Sequence, residues 1–360
     1  MAAVSQKKLN IAIIGAGLIG PRHAKAVASC AQANLHSLVE PSPKGPDIAA
    51  SLNTTHYSSI DELILSRPPP DAAIVCTPNS THVKLSKQLI AAGIHVLVEK
   101  PISTTIAEGR ELIQAAADAQ IQLLVGHHRR FNPYLLAAKG ALEQNRIGQV
   151  IAVQGIWASQ KPRDYFDGLG EWRRNGDSGG PILINLIHEI DLLQYMLGPI
   201  SYVAAIPTPN QRGFAAEEGA AIMLRFGSGA VGTFLLSDNV VAPWSFEAGT
   251  GENPMIPQVR ADAGAGGFYR VMGTKGSLSV ADMTIWKYAG EEGDWTKELV
   301  KEELEVQTEK IPFDLQVQHL VDVVLGGMKP SCSGEDALQA MVVCDAIKRA
   351  MVSGTGIEIP

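Results

Sequence analysis

Apolar residues in the first third of the chain fall in short continuous runs rather than in alternation. Leu9–Ile14, Asn34–Val39, Ala72–Cys76, His95–Glu99 and Gln122–Val125 each carry such a run, and each reads as a short strand. Between them the pattern predicts helices. One follows a glycine turn and runs to about Ala31, and two short ones come next, the second opened by the capping box Ser59-Ile-Asp-Glu62. Two more run from about Ser80 to Ala92, with Gly93 at C′, and from Thr105 to Ala119. Strands alternating with helices imply right-handed crossovers and a parallel, doubly wound sheet.

After Gly126 the rhythm changes. A helix over Pro133–Gln144 leads into a long strand, Val150–Ala158, then a Gly-, Arg- and aromatic-rich stretch from Ser159 to Ser178. A stretch of that length is expected to be functional rather than idle. The helix Ile182–Met196 precedes six strands in succession: Ser201–Ile206, Ala220–Phe226, Ala230–Ser237, Gly267–Met272, Ser277–Val280 and Thr284–Tyr288. Strands without intervening helices predict an open, mostly antiparallel sheet, so this part is α+β. Two helices, Asp314–Leu325 and Glu335–Val352, close the chain. The expected division is a Rossmann domain over 1–126, an α+β substrate and oligomerisation domain over 127–330, and a C-terminal helix over 331–360 packing back near the first domain. No internal repeat or low-complexity linker interrupts it.

Composition removes several classes. With 360 residues, 46% apolar and 19% charged, the chain is an ordinary globular one long enough for two domains. Its formal charge of −7 and the lack of a basic stripe argue against nucleic acid. Arg129–Arg130 and Arg173–Arg174 are isolated doublets, each expected to be a solvated pair. The longest apolar runs, Ile11–Ile14 and Val150–Val153, are far too short to span a bilayer. Lys7 and Lys8 lead straight into a strand with no cleavage site, so no secretory signal is read. Cys30, Cys76, Cys332 and Cys344 show no CxxC spacing, which fits a reducing compartment, hence the cytoplasm, and no metal site.

Gly15-Ala-Gly17-Leu18-Ile19-Gly20 is a GxGxxG between a strand and a helix, the setting in which glycines let the backbone approach a pyrophosphate at a helix N-terminus. Glu40 stands twenty residues past Gly20 at the end of the second strand, where a carboxylate accepts from ribose hydroxyls and repels a 2′-phosphate. NAD is therefore the expected cofactor; nearby Lys44 keeps NADP open. Thr77, Pro78 and Asn79, like Glu99 and Lys100, lie just past strand ends, where ligands bind in open α/β sheets.

Several segments together resemble the glucose–fructose oxidoreductase/inositol dehydrogenase (Gfo/Idh/MocA) family. They are the GxGxxG, Cys76-Thr-Pro-Asn-Ser-Thr-His82, Val98-Glu-Lys-Pro101, Gly126-His-His-Arg-Arg-Phe131, Gly179-Gly-Pro-Ile-Leu-Ile-Asn-Leu-Ile-His188 and Gly273-Thr-Lys-Gly-Ser-Leu278. The resemblance implies that Lys100 touches nicotinamide ribose and the substrate hydroxyl, that the Lys100–Pro101 peptide is cis, and that His188 transfers a proton. Many members carry Asp four residues before that histidine; this chain has Ile184 there and Asn185 next to it. His82 stands at a family cofactor position, though its own chemistry suits helix packing, and Asp191 reads as structural. His128 and Arg129 are expected to approach the substrate from the sheet side. Tyr165, Trp172 and Arg173, with Trp244 and Glu247, stack on a sugar face or pack a domain boundary; the pattern leaves both open. The expected activity is hydride transfer between NAD(H) and a secondary alcohol of a sugar, inositol or related polyol, by a homodimer or homotetramer paired through the C-terminal sheet, without metal, membrane or nucleic acid. Alternatives are a non-catalytic NAD-sensing regulator, against which Lys100 and His188 speak, and a reductase of a C=N or enone group.

Overall fold

The computed structural model describes residues 7–259, 267–290 and 293–360. The chain forms two compact units, Met1–Phe131 with Lys310–Gln339, and Asn132–Glu309 with Ala340–Pro360.

In the first unit, β1 (Leu9–Ile14), α1 (Gly20–Ser29), β2 (Ala33–Val39), α2 (Gly45–Ser51), β3 (Thr55–Tyr57), α3 (Ile60–Ile64), β4 (Ala72–Val75), α4 (His82–Ala91), β5 (His95–Val98), α5 (Ile106–Asp118) and β6 (Leu123–Val125) alternate as expected. All pairings are parallel and the strand order is β3-β2-β1-β4-β5-β6. The order reverses between β1 and β4, so the loops leaving these strands part and open a crevice at their carboxyl ends. β3 was not expected: three residues of Thr-His-Tyr carry no apolar run to betray a strand. The Ser59 hydroxyl caps α3 by accepting from the Glu62 amide, but Glu62 returns its carboxylate to Ser58, one residue earlier than a strict capping box.

Helix Pro312–Gly326 also belongs to this unit. Val317, Leu320 and Val321 share one helical face, and they join Leu9, Ile11, Ala24 and Val27 in one buried cluster. The first compact unit runs through Phe131, a few residues past the division expected at 126, and takes in residues 310–339 rather than breaking at 330.

The second unit holds α6 (Pro133–Glu143), β7 (Val150–Ala158), a π-helical turn Ile182–Leu186 running into α7 (Ile187–Leu197), then β8 (Ile200–Pro207), β9 (Gly219–Phe226), β10 (Val231–Ser237), α8 (Phe246–Thr250), β11 (Tyr269–Gly273), β12 (Ser277–Val280), β13 (Thr284–Tyr288), β14 (Leu299–Glu303) and β15 (Ile357–Glu358). The sheet order is β14-β13-β12-β11-β7-β10-β9-β8-β15. Every neighbouring pair is antiparallel except β7 and β10, which run parallel and end together, Ala158 opposite Ser237. Along β9, Ala220, Ile222, Leu224 and Phe226 are buried, packing in one cluster with Leu135 of α6, Ile190 and Leu193 of α7, and Val343 and Ile347 of the last helix, Gly334–Ser353. The other face leaves Ile206, Met223, Val231 and Leu235 exposed. The stretch after β7 is not structureless. It contains 3-10 turns Arg163–Phe166 and Gly168–Arg174, anchored by buried Phe166. Among the described residues no helix is long and apolar enough to cross a membrane.

Candidate active site

In the first unit the loop after β1 is shaped by what its glycines lack. Gly15 has φ +96°, and a Cβ there would lie 2.9 Å from Thr77 Cγ2. At Gly20 a Cβ would fall 2.1 Å from the Gly15 carbonyl oxygen, far inside contact distance. Gly17 faces open space, and neighbouring Leu18 is 93% exposed while Ile19 leads into α1. A tight turn, a bare backbone and an aliphatic side chain in the open are the features of a cradle for a dinucleotide. Gly20→Ala is expected to abolish NAD binding and to cost about 1–3 kcal/mol of stability, because backbone rather than a mobile side chain blocks the methyl group. Thermal unfolding with and without NAD checks this; a wild-type response to NAD would refute it.

Glu40 follows β2 and turns back on the same loop, accepting from the Ala16 amide at 2.7 Å and the Ser42 amide at 3.0 Å. Burial pushes its carboxyl up, but these backbone N–H groups outweigh burial and hold it below the usual carboxylate range. It is therefore anionic near neutral pH. Thr77, Pro78 and Asn79 leave the end of β4 at the surface. His82, at the start of α4, is fully buried with Nε2 2.8 Å from the Thr77 carbonyl and Nδ1 2.8 Å from the Pro101 carbonyl, so both ring nitrogens serve the backbone.

Lys100 follows β5, half-buried, and its peptide to Pro101 is cis. Its amide donates to Glu99 Oε2 at 3.2 Å, and Glu99 Oε1 lies 2.7 Å from Nε2 of buried His23. Burial pushes the Glu99 carboxyl up, and the His23 hydrogen bond and charge, with smaller contributions from His128 and Lys100, bring it below its ordinary range. Gly126 makes room for this carboxylate, since a Cβ there would lie 2.9 Å from it. His128 stacks on Phe313 with ring centroids 4.6 Å apart. Arg129 and Arg130 are buried, not the solvated doublet expected; the 3-10 turn His128–Phe131 carries them inward, and Arg130 donates to the Ser331 carbonyl and lies 3.7 Å from Asp336.

In the second unit, Asn185 and His188 are both buried, on the π-turn and the first turn of α7, while Ile184 is only partly so. Buried Asp191 follows one turn later. The Asn185 Oδ1 accepts from Lys161 Nζ at 2.7 Å. Lys161 lies 3.4 Å from Asp238, which also pairs with Arg212 at 2.7 Å. Both Lys161 and Asp238 emerge just past the ends of the parallel strands β7 and β10. The Lys161 ammonium sits 4.8 Å from the Tyr165 ring centre and 5.5 Å from that of Trp157. Burial pushes Lys161 down and Asp238 only partly restores it, leaving it at about 8. Arg173 donates to the Tyr165 carbonyl at 2.6 Å and stacks on its ring at 4.0 Å, while Trp172 stands half in solvent. Arg174 pairs with Asp167 and covers the Phe214 ring, so this doublet too is engaged rather than simply solvated. Glu247 is buried and accepts from Trp157 Nε1 at 2.9 Å, whereas Trp244 is partly exposed.

Residues 9–127 match the oxidoreductase family, NAD-binding Rossmann fold, and residues 139–359 match its C-terminal alpha/beta domain. This chain belongs to the Gfo/Idh/MocA oxidoreductase family. Its relatives include the inositol 2-dehydrogenase of Rhizobium meliloti, 25% identical over 98% of this chain and 99% of that one. Another is the 1,5-anhydro-D-fructose reductase of Ensifer adhaerens, 28% identical over 84% of this chain and 83% of that one. The fold is shared with the crystallised WlbA dehydrogenase of Bordetella pertussis in complex with NADH and UDP-GlcNAcA, with a TM-score of 0.77, 24% identity and 99% of each chain covered.

The first third of this Gfo/Idh/MocA protein is thus an NAD-binding unit, as the glycine loop foretold. Lys161, Asp238 and Arg212 were not singled out from the sequence. Their one signal is positional: Lys161, like Lys100, is a lysine shortly past the end of a strand.

Proposed function

We propose that this protein is an NAD-dependent dehydrogenase acting on a secondary alcohol of a sugar, inositol or related polyol, with Lys100 and His188 as its acid–base residues. The observation that carries the reading is Lys100 itself, braced by Glu99 at the carboxyl edge of a sheet whose neighbouring loop is shaped for a dinucleotide. The activities by which the two relatives are named, an inositol dehydrogenase and an anhydrofructose reductase, support the substrate class.

In this reading Gly15, Gly17, Leu18, Ile19 and Gly20 hold the pyrophosphate, Glu40 the adenosine ribose, and Thr77, Pro78, Asn79 and Glu99 the remaining backbone surface. Bound NAD⁺ supplies the acceptor for the hydride leaving the carbinol carbon. Lys100 places an ammonium on the substrate oxygen and stabilises the alkoxide as it forms; His188 takes the hydroxyl proton. Trp172 offers an exposed ring face to a sugar, with Tyr165, Arg173 and Asn185 as polar and aromatic contacts, and His128 and Arg129 as contacts from the Rossmann unit. A second copy of the chain covers the apolar sheet face of Ile206, Met223, Val231 and Leu235, and the four free thiols support a reducing compartment, the cytoplasm in this reading.

The test is a substrate panel of polyols, aldoses and cyclic imines read by nicotinamide absorbance, with NAD and NADP in parallel. A polyol is expected to turn over, with higher kcat/KM for NAD, since the Glu40 charge meets a 2′-phosphate at close range. Turnover of cyclic imines alone would move the reaction to C=N bonds. Turnover of nothing, with NAD still bound, would make the protein a regulator, and a clear NADP preference would hand the 2′ position to exposed Lys44.

A further inference from the structure

We propose that Lys161 is a positioning residue of the substrate site, fixing the Asn185 amide so that Asn185 meets a ligand as an N–H donor. This rests on the reading above that the helix bearing Asn185 and His188 handles substrate. The argument is one of hydrogen-bond inventory. An ammonium has three donors and no acceptor, so the amide atom 2.7 Å from Lys161 Nζ is the carbonyl oxygen. With Oδ1 committed, the group Asn185 turns to a ligand is its NH₂. A carboxylate can only accept; Asn185 held this way adds two N–H donors, with one lone pair left on an oxygen already held by Lys161. The two polarities select different substrate atoms. A donor favours a carbonyl, ether or carboxylate oxygen, or a hydroxyl lone pair, at the position beside the reacting carbon.

The hold on the amide is built rather than incidental. The Lys161 side chain is 10% exposed, and Asp238, at 2% exposed, sits between it and Arg212. Trp157 and Tyr165 present ring faces to the ammonium. Trp157 is itself tied by its indole N–H to Glu247. The charged groups about Lys161 are Asp238 after β10, Glu247 on α8 and Arg212 between β8 and β9, with Asn185 and Tyr165 as the polar neighbours. Of these, Lys161 is the one brought to about 8, so its loss of a proton in mildly alkaline solution loosens the chain Arg212–Asp238–Lys161–Asn185 at the link next to the amide. An arginine at position 161 would keep the charge and the donor but not titrate there.

The experiment follows the Asn185 side-chain NH₂ resonance of the full-length protein, identified by its absence in Asn185→Asp, from pH 6 to 9.5. An inflection near the Lys161 titration is expected, and its disappearance in Lys161→Arg and in Lys161→Met. A flat resonance in the unmodified protein overturns the proposal. With a polyol that the panel turns over, Lys161→Met is expected to raise KM about 10–100-fold, with a smaller change in kcat, and Lys161→Arg to recover most of it. A folded Lys161→Met with unchanged KM also overturns it. The two readings fail separately. An inflection in a protein that oxidises no polyol sinks the dehydrogenase and leaves the amide orientation standing, whereas a flat resonance in an active polyol dehydrogenase sinks the role of Lys161 alone.

Discussion

Lys100→Met is expected to bind NAD like the unmodified protein and to turn over its substrate about 10²–10⁴-fold more slowly. The two halves of this expectation have separate causes. The dinucleotide cradle is made by Gly15, Gly17 and Gly20 and by Glu40, none of which depends on the Lys100 side chain, and the Lys100 amide that donates to Glu99 survives the change. Methionine keeps the length and apolar stem of lysine, so the half-buried position stays filled. What is lost is the ammonium, and with it the charge that holds an oxygen as its proton departs. Because that charge matters more to the alkoxide than to the neutral alcohol, the loss falls on kcat rather than on KM. Calorimetric titration with NAD and steady-state rates on the same preparation separate the two. A near-normal kcat would mean that Lys100 only neighbours Glu99 and takes no part in the chemistry.

His188→Asn is expected to cost a comparable factor in alcohol oxidation, and to remove a limb from the pH profile. An imidazole accepts the hydroxyl proton only when neutral, so oxidation in the unmodified enzyme should rise with pH as imidazolium is depleted. Asparagine keeps a polar, hydrogen-bonding side chain in the same buried first turn of α7 but cannot take up a proton. The variant should therefore run slowly with no histidine limb. Should it keep both the rate and the limb, the proton passes elsewhere, with Lys100 or a water relay as the next candidates. Running Lys100→Met beside it tests the division of labour: if the lysine stabilises charge and the histidine moves the proton, the lysine variant keeps the ascending limb at a lower rate.

The Rossmann unit was the more legible part. Its strands are buried on both faces, so their apolar runs are continuous and their ends abrupt, and Leu9–Ile14 falls where the run of apolar residues does. β3 escaped because three polar and aromatic residues leave no such run, and β14 because Leu299–Glu303 carries charges on a strand at the sheet's edge. The burial of Arg129 and Arg130 escaped for a different reason. An arginine pair is solvated by default, and only the fold brings Ser331 and Asp336, some two hundred residues away in sequence, to meet Arg130. Gly15, Gly20, Glu40 and Lys100 announced themselves through spacing to strands. Lys161 and Asp238 could not, because what makes them neighbours is the single parallel pairing in an otherwise antiparallel sheet. The π-turn was equally hidden: Ile182–Leu186 has the composition of ordinary helix, yet it alters the turn that carries Asn185 toward His188.

The buried ring of His82 joins the loop after β4 to the peptide after β5 through one carbonyl on each side. Two segments that would otherwise fluctuate separately are thereby set during folding, before any nucleotide arrives. The entropy of arranging Thr77 against Lys100 and Pro101 is charged to the folding of the Rossmann unit and not to the encounter, so NAD meets a surface already in its working shape. Tight cofactor binding in such a protein is then a property of how well its sheet folds, and a substitution deep under α4 can weaken the nucleotide's hold without touching a single atom of it.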